Sequence, residues 1–245
     1  MKRSDGRTPL QLRKLKLTRG VMKFAEASCL VEWGDNKVIC TATVQEKVPP
    51  FLRNSGTGWV TGEYGMLPRS SNQRIERESI KGRVAGRTQE IQRLIGRSLR
   101  TVVDLKQLGE RSILIDCDVI QADGGTRCAS ITGGFVALVD ALRHCREKKL
   151  IATLPIKDFV AAVSVGIVQE TPMLDLCYTE DSTAEVDMNG IMTGRGGFSE
   201  VQGTAEREPF QLTDLNRMLQ LAKQGIGRVL ALQHRVLGAA SVDRL

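Results

Sequence analysis

The strongest constraint on the fold of this chain is a change of hydrophobic period near its centre. Over residues 112–120, Ile113, Ile115, Cys117 and Val119 alternate with Leu114, Asp116, Asp118 and Ile120, the period of a strand with one buried face. From about residue 129 to residue 146 the spacing becomes that of a long apolar helix. Between them lies QADGGTR, residues 121–127. Two glycines let the backbone turn sharply and bring its amides close to a ligand, while the start of a helix offers unpaired N–H groups and a positive dipole end. Arg127 adds a planar cation able to fork onto phosphate. The segment is either an anion cradle or a plain strand-to-helix turn with a surface arginine.

With 245 residues, 41% hydrophobic and 26% charged, the composition is that of a globular chain able to bury a large core. No apolar stretch follows the basic start MKRSDGRTPLQLRKLK, so no signal peptide is expected, and the longest uncharged run, residues 128–139, is too short to span a bilayer. No membrane association and a cytoplasmic location are the expectations. Six cysteines without a CxxC pair read as buried free thiols. Two isolated histidines, His144 and His234, argue against a histidine triad or a zinc site. Charge is uneven: residues 1–110 carry 21 Lys and Arg against 11 Asp and Glu, or +10, and the remainder 14 against 17, or −3. A basic half beside a mildly acidic one suits a polyanionic partner, nucleic acid foremost, although basicity alone does not separate RNA from a ribosomal or membrane surface.

Residues 1–16 are polar and basic and read as an arm ordered only by contact. Strands are expected at 29–33, 38–44 and 59–66, the first two joined by a Gly34-Asp35-Asn36 turn. Residues 68–83, PRSSNQRIERESIKGR, lack apolar periodicity and hold Arg69, Arg74, Arg77, Lys81 and Arg83. They form a mobile loop, either simply solvated or placed against a phosphate backbone. Residues 86–104 make a helix with Ile91, Leu94, Ile95, Leu99 and Val102 on one stripe and Arg93, Arg97 and Arg100 on the other side. Arg87 stands at its start, where a cation opposes the dipole unless an anion binds between them. Beyond a linker at 147–155, strands are expected at 159–168, 173–178, 186–192 and 198–202, then a helix capped by Thr213 and a last helix at 227–237.

A second chemical feature is EDSTAEVD, with Glu180, Asp181, Glu185 and Asp187 in eight residues. Such crowding is either an exposed loop or a site for a hard cation such as Mg²⁺ or Mn²⁺. Arginines and amides for an anion, aspartates for a metal, and no nucleophilic serine or histidine base suit attack by inorganic phosphate better than hydrolysis through a covalent intermediate.

The segments VPPFLR, GWVTGEYGMLPR, GRTQEIQRLIGRSLR, LIDCDVIQADGGTRCASITG, EDSTAEVDMN and VQGTAEREPF, in this order from about residue 3 to residue 238, closely resemble the ribonuclease PH family of phosphorolytic exoribonucleases. That family is related to polynucleotide phosphorylase and the exosome core. The resemblance implies an α+β fold of the ribosomal-protein-S5 domain 2-like kind, one domain over residues 1–245 with two pseudo-similar lobes at about 1–146 and 156–240. It implies that Arg87, Gly125, Thr126 and Arg127 bind inorganic phosphate, that Asp181 and Asp187 serve catalysis and metal binding, and that Arg69, Arg74 and Arg77 guide RNA; Arg93 and Arg97, on the basic helix face, are expected to contact RNA as well, the alternative being a solvated face. The implied activity is reversible, phosphate-dependent 3′ to 5′ trimming of precursor tRNA ends with release of nucleoside 5′-diphosphates. The implied assembly is a homohexameric ring, a trimer of dimers.

Gln89, Cys128 and Gly190 stand where the family more often has methionine, threonine and a larger apolar residue. Cys128, beside Arg127, would make the pocket sensitive to oxidation if its thiol were reactive. A catalytically inert RNA-binding ring subunit is the rival from another class, and a hydrolytic nuclease the rival among enzymes.

Overall fold

Alternation along the central segment becomes the strand it predicts, and that strand organises the first of two sheets. The computed structural model describes residues 3–238. The first sheet has the order β1-β2-β3-β5-β4, from β1 (Leu15–Arg19), β2 (Ala27–Trp33), β3 (Asn36–Gln45), β4 (Trp59–Met66) and β5 (Ser112–Gln121). Its pairs are antiparallel except β4 with β5. A parallel pair needs a crossover, supplied here by the single turn α1 (Glu78–Lys81), α2 (Gly86–Thr101) and α3 (Leu105–Leu108). After α4 (Thr126–Glu147) comes the antiparallel second sheet, order β7-β6-β8-β9, from β6 (Val160–Val168), β7 (Thr171–Leu174), β8 (Val186–Thr193) and β9 (Phe198–Ala205). The short α5 (Tyr178–Asp181) precedes β8, and α6 (Leu212–Leu237) closes the fold.

The long apolar helix α4 is buried on nearly every side because both sheets use it. A methyl group on Gly133 would lie 2.3 Å from Val31 of β2, and one on Gly134 3.1 Å from Ile115 of β5. On its other side Cys128 Sγ reaches Asn189 Oδ1 of β8 at 3.2 Å. Successive strand residues face opposite ways, so Gly190 looks away from α4, toward α6, where an added Cβ would stand 3.0 Å from Ala222. A larger apolar residue at position 190 would require Ala222 to give way. With α4 on one face and α6 on the other, β6 is buried along its whole length. One apolar cluster runs through all these layers. All six cysteines are buried free thiols, and His234 stacks on Phe159 at 3.7 Å.

Several expectations shift. The last two residues of the arm expected at 1–16 begin an unexpected strand, β1. The second expected strand of the C-terminal half, 173–178, ends at Leu174, where Asp175 takes a left-handed backbone, φ 57°. The helix over 86–104 stops at Thr101, and Asp104 instead accepts the Lys106 and Gln107 N–H groups to cap α3. The two C-terminal helices are one: Gly225 is a point of close approach, with room for a Cβ only 2.5 Å from Leu174. Its start is closed by Asp214, which accepts the Gln211 N–H, rather than by Thr213. The cationic loop is tied at its base, where the Ala122 N–H donates to Ser70 O at 2.8 Å.

Gly133→Ala pushes a methyl into this packed contact and should cost about 1–3 kcal/mol. Gly227→Ala, on an open helical face, should stabilise by up to about 1 kcal/mol. Urea unfolding reads both; a Gly133→Ala protein as stable as wild type would contradict the close approach of α4 to β2.

Candidate active site

Two helix N-termini open into one cleft of about 1020 Å³. α2 begins after Ala85 and α4 after Gly125; neither has a side-chain cap, and neither has an acid in its first turn. The first-turn N–H groups of both helices therefore lack helical partners and carry partial positive charge. Into these same turns the sequence puts Arg87 and Arg127, and both line the cleft together with Gly125 and Thr126. Cations against positive helix ends repel unless an anion sits among them. Because α4 starts at Thr126 rather than residue 129, Thr126 and Arg127 belong to the helical turn itself.

Gly124 and Gly125 both have φ +71°, which a side chain would strain. A Cβ on Gly124 would also come within 2.8 Å of Leu176 O, so the loop lies directly on the segment that leads to Asp181. Thr126 Oγ1 shares a 2.9 Å hydrogen bond with the buried Tyr64 hydroxyl of β4. Arg127 Nη1 donates at 3.1 Å to Glu90 of α2 and at 3.1 Å to Gln202 of β9. These bonds join α2, α4 and β9 around an arginine that lines the cleft.

Of the four acids, Asp181 and Asp187 line the cleft. Glu180 is turned inward to Arg3, and Glu185 accepts the Glu170 N–H at 3.2 Å. The cluster is thus neither wholly exposed nor wholly a site. Asp181 ends α5, and Asp187 lies on β8 two residues before Asn189, on the face toward α4. Burial pushes the Asp181 carboxyl above the ordinary value near 3.8, helped by Asp187 and opposed by Arg87, Arg127 and Arg13. Asp187 is raised by burial and then Glu206, against Arg127 and Arg87. Acids and cations therefore feel each other across the cleft. Among the described residues, no group of three or more His, Cys, Asp or Glu is arranged to hold a metal. Two lone carboxylates do fit Mg²⁺ or Mn²⁺, which take one or two from protein and complete their shell with water and substrate phosphate.

Arg69 and Arg74 line the same cleft. Arg77, Arg93 and Arg97 are exposed outside its lining, and Arg97 pairs with Glu200 at 3.5 Å. Cys128 is buried, and burial pushes its thiol up to about 12, opposite to the thiolate character that oxidation requires. Gln89 caps the surface carbonyl of Val84 and does not line the cleft. Sequence reasoning missed Tyr64, Ser70, Glu90, Tyr178, Asn189 and Gln202. Only Asn189 carried a signal, since it shares a strand face with Asp187.

A raised carboxyl means that the folded state holds its proton more tightly than the unfolded state. The associated stability is full below the ordinary pKa near 3.8 and is lost as pH rises through the higher folded value. In chelator-treated protein, Asp181→Asn should raise Tm by a few degrees at about pH 7.5 and change it little at about pH 3.5. Equal effects at both pH values would contradict a strained, ionised Asp181.

A family model described as the 3′ exoribonuclease family, domain 1, matches residues 11–143, and its domain 2 counterpart matches residues 158–225. Ribonuclease PH of Syntrophomonas wolfei subsp. wolfei is 55% identical over 238 residues, covering 97% of this chain and 100% of that protein. Among solved structures, rice (Oryza sativa) Rrp46 superposes with a TM-score of 0.79 at 16% identity, over 96% of this chain and 100% of that one. The Archaeoglobus fulgidus exosome with RNA bound to the active site gives 0.79 at 20% identity, over 94% and 92%. At such identities the two structures speak for the fold alone.

Proposed function

This chain belongs to the ribonuclease PH family of 3′ exoribonucleases, and on that footing we propose how its cleft performs phosphorolysis at an RNA 3′ end. It is a phosphorolytic 3′ to 5′ exoribonuclease. Arg87, Gly125, Thr126 and Arg127, with the first-turn amides of α4, hold inorganic phosphate. Asp181 and Asp187 are the residues that would hold Mg²⁺ or Mn²⁺, which when bound would neutralise charge on the scissile phosphodiester. The arginines lower the repulsion between the two phosphates and align the attacking oxygen. That oxygen forms a bond to the terminal phosphorus while the bond to the preceding 3′ oxygen breaks. The products are a nucleoside 5′-diphosphate and a shortened RNA whose 3′ oxygen takes up a proton. A phosphoanhydride bond in the diphosphate replaces a phosphodiester bond of comparable energy, so the reverse polymerisation also runs.

The observation that carries this reading is the meeting of two uncapped, arginine-bearing helix starts with Asp181 and Asp187 in one cleft. An inert RNA-binding subunit has no use for that combination, and this chain keeps every member of it. Arg69 and Arg74 guide the RNA into the cleft, and Arg77, Arg93 and Arg97 meet it farther out, with the 3′ ends of precursor tRNA as substrate. Both lobes act as one domain, since the acids come from the second and the cradle from the first. A homohexameric ring, a trimer of dimers, is the assembly; Phe24, Phe51 and Leu212, 90%, 69% and 70% exposed in the lone chain, supply apolar surface for it. Among the described residues no helix is long and apolar enough to cross a membrane, and the proposed location is the cytoplasm.

Incubation with 3′-extended tRNA and Mg²⁺, with and without phosphate, tests the reading. Diphosphates released only with phosphate are expected. Monophosphates without it would mean hydrolysis, and no release an inert subunit. Arg87→Ala and Arg127→Ala should each lower phosphate-dependent kcat/KM by about 10²–10³ while RNA still binds. Wild-type phosphate dependence in either variant would place the pocket elsewhere.

A further inference from the structure

The chemistry proposed above makes no use of the basic N-terminal arm, yet among the described residues the arm carries the most deeply buried cations. Arg3 and Arg13 are 3% and 7% exposed. A buried guanidinium is costly unless every nitrogen is matched with an acceptor, so its partners reveal what it holds in place.

Arg13 uses its whole fork. Nε and Nη2 donate to Asp175 Oδ1 at 3.1 and 2.6 Å, and Arg13 N donates to Asp175 Oδ2 at 2.6 Å. Asp175 is itself fixed by Trp33 Nε1 at 3.0 Å. On its far side, Arg13 Nη1 donates to Asp123 O and, at 3.2 Å, to Asp123 Oδ2; Nη2 donates to Gly124 O at 3.2 Å. Burial works against the charge of Arg13, but Asp175 and Asp123 outweigh it and hold the group fully protonated. One side chain thus touches both the loop that opens into α4 and the segment that runs from Asp175 to Asp181.

The loop needs such a support. Two consecutive glycines in left-handed conformation give it little shape of its own. Around the two glycines, further restraints come from Asn36, whose Oδ1 accepts the Asp123 N–H and whose Nδ2 donates to Gly124 O, and from Tyr178, whose N–H donates to Asp123 Oδ1 at 3.1 Å. Arg3 anchors the other end: its Nε donates to Glu180, the neighbour of Asp181, at 2.7 Å, and its Nη groups donate to Leu174 O and Asp175 O, both at 2.7 Å.

We propose that Arg13 is a positioning residue for the attack of phosphate, fixing the separation between the anion cradle at the start of α4 and Asp181. This rests on the phosphorolytic reading of the cleft. Arg13 touches neither reactant; it acts by holding two reacting parts in register, where a misplacement of about 1 Å can cost about a hundredfold in rate.

Arg13→Lys keeps a positive charge against Asp175 and removes the fork that reaches Asp123 and Gly124. Phosphate KM, kcat and RNA KM are measured on 3′-extended tRNA with Mg²⁺, alongside circular dichroism. The expected result is a loss of about tenfold or more in kcat/KM for phosphate, an RNA KM within about twofold of wild type, and a native spectrum. Asp123→Asn keeps the acceptor for Tyr178 N–H and weakens only the link to Arg13; it should move phosphate kinetics the same way by a smaller factor, and it decides the matter alone if Arg13→Lys does not fold. Wild-type phosphate KM and kcat in the folded variants, with only Tm lowered, would reduce Arg13 to a structural ion pair and overturn the proposal. Monophosphate release by the wild-type protein would instead overturn the phosphorolytic reading, and this proposal with it.

Discussion

The cleft is built on an electrostatic conflict that the chain relieves only in part, through Glu78 at the start of α2 and Glu90 on Arg127. Two helices begin without caps and without first-turn acids, and each carries an arginine where its dipole is already positive. Natural helix starts usually satisfy these amides with Ser, Thr, Asp or Asn. Here the unfilled role faces a shared space, and an anion of phosphate's size and charge resolves both repulsions at once. Opposite it, Asp181 and Asp187 carry the complementary conflict, two acids raised by burial and without side-chain donors of their own. Arg87 and Arg127 thus stand across the cleft from Asp181 and Asp187 without pairing to them, although Arg127 keeps Glu90 as a partner.

Such an arrangement requires that the two sides stay in register, and the architecture provides this through α4. Because that helix is packed between the sheets, with Gly133 and Gly134 pressed on one and Cys128 bonded to the other, its N-terminus has little freedom. The first sheet then supplies Tyr64 to hold Thr126, α2 supplies Glu90 to hold Arg127, and the second sheet supplies Gln202 and Asp187. The N-terminal arm completes the frame from beneath by joining the glycine loop to Asp175.

Much of this was legible in the sequence. Alternation placed β5, the apolar run placed α4, and the amphipathic stripe placed α2 with Arg87 at its head. Local chemistry marked Arg127, Asp181 and Asp187, and the structure puts them with Arg69 and Arg74 in one cleft. What stayed hidden depends on contacts far apart in the chain. Arg13 reads as one of several arm cations until its partner Asp175, 162 positions away, is in view. β1 was masked because Leu15 and Leu17 alternate with basic residues that also suit a loop. α6 read as two helices because Gly225 and Gly227 look like breaks, whereas Gly225 is a close contact with Leu174. Arg77, Arg93 and Arg97 belonged to a basic pattern that does not all fold toward the same place.

The account stands on an anion held between the starts of α2 and α4. Crystals grown with tungstate, which shares the shape and charge of a phosphate dianion and scatters anomalously, test this directly. The account predicts an anomalous peak within hydrogen-bond reach of the first-turn amides of α4 and of the guanidinium groups of both Arg87 and Arg127. A cleft with no peak there, or with tungstate only along the Arg69 and Arg74 loop, would contradict it.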